Sequence, residues 1–157
     1  MKTIVIGLGN PILGDDGVGW RVAEEISGLG FCKSNSVVVD CLSVGGLTLM
    51  ECLVGYNRAI LVDALQTGLH PPGTVIQMQL DDLPDLVAGH MASAHDAKLK
   101  TALQLGREMG LQLPDQVLIV GIEAQRVFDF SEKLSPIVMA AVPQAVQLVS
   151  ELLQTTQ

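Results

Sequence analysis

Apolar residues gather in five short runs, at residues 3–6, 36–41, 58–63, 74–79 and 116–122, several of them apolar on consecutive positions and each bounded by Gly, Pro or polar residues. Their length and their Val and Ile content predict β-strands. Apolar side chains on both parities of a run predict a strand covered on both faces. Between the runs the period changes. Val18, Val22 and Ile26 recur every four residues, and Leu99, Ala102, Leu103 and Gly106 share one face. Val138, Ala141, Val142, Ala145, Val149 and Leu152 line another, as a helix with one buried stripe requires. Residues 46–53 predict a further helix. This alternation predicts a three-layer α/β/α fold, with a five-stranded, mostly parallel twisted sheet and helices on both faces. One connection breaks the pattern. Residues 64–73 leave no room for a helix, so 74–79 is expected to be an antiparallel edge strand.

A chain of 157 residues suits a single domain, spanning 1–157, that buries roughly two-thirds of the surface its unfolded form exposes. There is no internal repeat or linker. Seventeen acidic residues against nine basic give a formal net charge of −8, without the basic stripe that follows a phosphate backbone, so no nucleic-acid partner is expected. The longest apolar runs fall far short of the ~20 residues that span a bilayer, and the first strand begins without a secretory signal ahead of it. No membrane partner and a cytoplasmic location are the expectations. Cys32, Cys41 and Cys52 contain no C-x-x-C pair. They are expected to be free, buried thiols, neither a disulfide framework nor a zinc knuckle.

In open α/β sheets, ligands gather outside the carboxyl ends of the strands. Asp15 and Asp16 follow the first predicted strand, Asp40 and Cys41 end the second, Asp63 ends the third and Glu123 follows the last. Ser93-Ala94-His95-Asp96 reads as a capping box, which puts His95 in the first turn of the helix leading to the last strand. The positive end of the helix dipole disfavours imidazolium there, and a neutral ring can ligate a metal. Asp15 and Asp16 open a helix on side chains about 100° apart. One can cap it while the other faces the cleft, and the residues alone leave open which.

The turn between strand and helix carries glycines at 7, 9, 14, 17 and 19. Any tight strand-to-helix turn would want them. A dinucleotide-binding loop would need its third glycine at position 12, where Ile12 stands, and would set two carboxylates against a pyrophosphate. The acidic pair favours a cation instead. Glu123 is expected to support the cleft rim or to act as a cap, and Trp20 to join the core; His70 and His90 read first as loop residues, with His90 the likelier of the two to touch a substrate. The metalloprotease, serine hydrolase and thiol protease signatures are absent.

The segment from Gly9-Asn10 to Asp15-Asp16-Gly17 resembles the hallmark of the hydrogenase maturation endopeptidases. Weaker matches are Val62-Asp63-Ala64, His95-Asp96, Val120-Gly121-Ile122-Glu123 and Leu134-Ser135-Pro136. The likeness runs over nearly the whole chain. It implies that Asp16, Asp63 and His95 form the catalytic, metal-contacting set, although a second histidine, His90, precedes His95. Two carboxylates and one imidazole form an oxygen and nitrogen donor set that suits nickel or zinc. The resemblance further implies an aspartate- or metal-dependent endopeptidase acting on the large-subunit precursor of a nickel-iron hydrogenase. It would remove the C-terminal extension, with nickel already carried by that precursor. The other readings are a non-catalytic nickel- or precursor-binding assembly factor and, behind it, the dinucleotide-binding domain.

Overall fold

The computed structural model describes residues 1–31, 36–82, 94–125 and 127–155, with the backbone alone over 94–98. All five expected strands form: β1 (Thr3–Leu8), β2 (Val37–Leu42), β3 (Arg58–Leu65), β4 (Val75–Gln79) and β5 (Gln116–Glu123). Among the described residues, four α-helices accompany them: α1 (Val18–Gly28), α2 (Gly46–Cys52), α3 (Ala94–Glu108) and α4 (Pro136–Gln154). The sheet runs β2-β1-β3-β5-β4. Every pairing is parallel except β4 with β5, so the short connection after β3 does yield an antiparallel edge strand.

Alternate residues of the central strands divide the core in two. Val5, Ile60, Val62, Leu118, Val120 and Ile122 pack with the stripes of α1 and α4. Ile4, Ile6, Ala59, Leu61, Val117 and Ile119 pack with α2 and α3 on the opposite face. β1, β3 and β5 are buried almost throughout, whereas β2 and β4, at the sheet edges, are only partly covered.

The strands extend beyond their apolar runs. β1 continues through Gly7, which is registered against both Cys41 and Val62, and β3 continues two residues past Asp63. Asp63 therefore lies inside the end of its strand and not at its last residue. Glu123 likewise closes β5 instead of following it.

α4 is held at both ends. Ser135, its N-cap, is bonded to Asp15, and near its other end the Arg58 guanidinium donates to the Leu152 carbonyl at 2.6 Å. A cation beside the last carbonyls of a helix complements its dipole. By length and composition α4 is apolar enough to cross a membrane, with a mean hydropathy of 1.4. In this fold Val138, Ala141, Val142, Ala145 and Val149 face the core, while Ile137 and Met139 are exposed.

Candidate functional site

The first strand leaves the sheet through a turn that doubles back on itself. Gly9 adopts φ +124°, and a Cβ there would land on the carbonyl oxygen of Asp16. Only glycine combines that backbone angle with so close an approach. The Asn10 side chain closes the turn by accepting from the Ile12 amide at 3.2 Å, and the Leu13 amide donates to the Asn10 carbonyl at 3.1 Å. A 3-10 turn, Gly14–Gly17, then leads into α1. The acidic pair thus lies in this turn ahead of α1 and does not open the α-helix itself. Neither carboxylate caps α1.

The two acids divide their work. Asp15 is 1% exposed, and its Oδ1 and Oδ2 accept from the backbone amide (2.6 Å) and the hydroxyl (2.8 Å) of Ser135. It holds the start of α4. Asp16 is half-buried, with Oδ2 accepting the Asn10 amide at 2.8 Å. Asp16 is thus the member of the pair within reach of solvent.

The 3-10 turn packs against β3. Gly7 is registered against Val62, the residue before Asp63, so Asp16 and Asp63 stand at the carboxyl ends of adjacent parallel strands. Asp63 is buried, and its Oδ1 accepts the Ala64 amide at 2.9 Å. His95 is the second residue of α3. Because α3 leads back to the start of β5, its first turn lies toward the same sheet end. The His95 side chain, together with Ser93 and His90, lies outside the described residues. Among the described residues, no group of three His, Cys, Asp or Glu side chains is arranged to hold a metal ion.

The remaining candidates take other parts. Asp40 is exposed and accepts the Cys41 amide at 2.8 Å. Glu123 is buried and ties down the loop after β3, accepting from the Thr67 hydroxyl (2.8 Å) and the Gly68 amide (2.7 Å). His70 is exposed in the same loop. Trp20 is only half-buried, donating from Nε1 to the Leu42 carbonyl at 3.2 Å. It lines a cleft of about 460 Å³ with Ile12, Gly17, Leu134 and Met139, beside the turn that carries Asp16. Ser135 is the residue that sequence reasoning missed. A Ser-Pro pair at a helix start marks an N-cap, but nothing local points to an aspartate 120 positions earlier.

Cys41 and Cys52 are free but half-buried, not fully buried, and Cys32 lies outside the described residues. Burial first, then the charges of Glu24 and Asp40, push the Cys41 thiol up to about 11. Burial, then Asp40 and Glu51, raises Cys52 as well. The thiolate is the reactive form. Cys41 should therefore resist iodoacetamide at pH 7–8, with labelling accelerating only as pH approaches 11. Replacing all three cysteines by Ser should leave any activity of the site measurable, and its loss in a folded triple variant would restore a thiol mechanism.

The family model for hydrogenase maturation protease, HycI, matches residues 20–152, a stretch that contains Asp63 and His95 and starts just past the acidic turn. The chain is 26% identical to the hydrogenase expression/formation protein HupD of Thiocapsa roseopersicina over 152 residues, covering 97% of this chain and 67% of that one. It is 27% identical to a putative hydrogenase maturation protease of Methanocaldococcus jannaschii, covering 93% and 92%. Among solved structures it resembles the hydrogenase maturating endopeptidase HybD of Escherichia coli, with TM-score 0.78 and 24% identity over 99% of this chain and 94% of that one. A hydrogenase 2 maturation peptidase from a Thaumarchaeota archaeon superposes with TM-score 0.70 and 27% identity, covering 98% and 99%.

Proposed function

Because the chain belongs to the hydrogenase maturation protease family, and is in that sense a peptidase, we propose that it removes the C-terminal extension from a nickel-iron hydrogenase large-subunit precursor, in the cytoplasm, once nickel has been inserted. The observation that carries this reading is the placement of Asp16 and Asp63 at one end of adjacent strands, with Asp16 the acid that solvent reaches. His95 is the second residue of α3, and its imidazole would add a nitrogen donor to the two carboxylates. Such a set can grip nickel while leaving positions for water or substrate.

Nickel here is part of the substrate. Asp16, Asp63 and His95 grip it where the precursor presents it, and the cleft walled by Trp20 and Met139 offers apolar surface to the polypeptide around it. Water then attacks the peptide carbonyl, which takes the new bond to oxygen while the amine leaves with a proton. Either the metal polarises that carbonyl, or the carboxylate of Asp16 or Asp63 takes the proton from the water.

Mass spectrometry of a purified precursor, incubated with this protein in nickel-loaded and nickel-free forms, tests the reading. The C-terminal fragment should be released from the loaded form alone. Release irrespective of nickel would remove the metal-gripping role. Binding to the loaded precursor with no change in its mass would make the chain a non-catalytic assembly factor.

A further inference from the structure

We propose that Asp15 is a positioning residue, whose carboxylate, clamped by Ser135 at the head of α4, fixes the direction in which Asp16 presents its own carboxylate to the precursor. The proposal rests on the reading of Asp16 given above. Asp15 is 1% exposed, and both its oxygens are taken by a single partner, the amide and hydroxyl of Ser135. Ser135 occupies the N-cap of α4, where a serine hydroxyl ordinarily accepts from an amide of its own first turn. It makes no such bond. The hydroxyl donates to Asp15, a bond that ties the acidic turn to the last helix. The negative charge of Asp15 lies against the positive end of α4, which suits it.

The turn is gripped from a second side as well. The Gly14 amide donates to the Ser131 carbonyl at 2.8 Å and the Ser131 amide to the Ile12 carbonyl at 3.0 Å, a bridge between Leu13 and Ser131 that precedes the clamp in both segments. In a 3-10 turn successive side chains diverge by about 120°. Fixing Asp15 inward therefore fixes Asp16 outward, where its Oδ2 meets the Asn10 amide. The carboxylate is specific in that it holds both the backbone and the side chain of one residue, so it sets rotation about the turn as well as distance.

The test measures kcat and KM for trimming of nickel-loaded precursor, with thermal melting of each variant, for Asp15→Ala, Ser135→Ala, Ser135→Thr and Asp16→Asn. Misplacing the Asp16 carboxylate should lower kcat about a hundredfold in Asp15→Ala, while KM stays within about twofold because the docking surface is intact. Ser135→Ala, which keeps the amide bond to Asp15, should lose about tenfold in kcat, and Ser135→Thr, which keeps the hydroxyl, should recover it. A purely structural clamp would lower the melting temperature and leave kcat of the folded fraction unchanged. Wild-type kcat in folded Asp15→Ala, or equal rates for Ser135→Thr and Ser135→Ala, overturns the positioning role. If Asp15→Ala does not fold, the Ser135 pair decides alone. If Asp16→Asn trims like the wild type, the reading of the whole site fails and this proposal with it. Loss in Asp16→Asn beside wild-type rates for the Asp15 and Ser135 variants removes the proposal alone.

Discussion

Asp16→Asn, Asp63→Asn and His95→Ala should each give a folded protein whose trimming of nickel-loaded precursor has fallen about a hundredfold or more, the scale on which a catalytic acid or base contributes. The folded state should change little. Among the described residues the Asp16 carboxylate accepts one hydrogen bond, from the Asn10 amide to Oδ2. In Asp63→Asn the amide oxygen can still accept the Ala64 amide, as Oδ1 does now. Loss of a single bond of this kind costs about 1 kcal/mol, which thermal melting resolves from unfolding. Rates come from C-terminal fragment release followed by mass spectrometry. Three folded variants trimming at the wild-type rate would overturn the site.

The largest loss of stability is expected at Gly19. A Cβ on this residue would meet the carbonyl oxygens of Val62 and Leu8, and the Leu8 amide nitrogen at 3.0 Å. These are backbone atoms of the adjacent strands β1 and β3, and they have no rotamer with which to move aside. Gly19→Ala should therefore cost about 3 kcal/mol or more, at or above the upper end for overpacked cores, because α1 must lift off the sheet. Gly28→Ala, at the other end of α1 with nothing within 4 Å of the added carbon, should be neutral or stabilising by a few tenths up to about 1 kcal/mol. Urea denaturation of the two variants beside the wild type measures the contrast. A Gly19→Ala midpoint equal to the wild type would show that α1 does not rest on the sheet as closely as this.

Most of the fold could be read from the chain because its signals are local. Paired-face Val and Ile runs mark β1, β3 and β5, and ten residues without room for a helix mark the antiparallel β4. Strand ends were harder. Gly7 reads as turn because glycine usually is, yet it stays in β1 since its missing side chain admits the backbone of Gly19. The candidate site was legible in its position at the carboxyl ends of the strands but not in its division of labour. Two neighbouring aspartates look alike in sequence, and Ser135, brought to them by the fold alone, makes one internal and leaves the other at the surface. The thiols went astray for a related reason. Cys41 lies on the partly covered edge strand β2, so strand membership did not bring full burial.

The strand order also imposes a timetable. β1 can pair with β2 and then β3 as soon as they leave the ribosome, but β4 is made before β5, its one partner strand among the described residues. It must wait while β5 slots in between it and β3. The acidic turn waits longer still, since the residue that clamps Asp15 is synthesised 120 positions after it. At translation rates of about 5–20 residues per second, several seconds separate the making of Asp16 from the arrival of its brace. A growing chain therefore carries the acidic turn well before it has made the residue that clamps it, and the clamp closes only once the start of α4 has been synthesised.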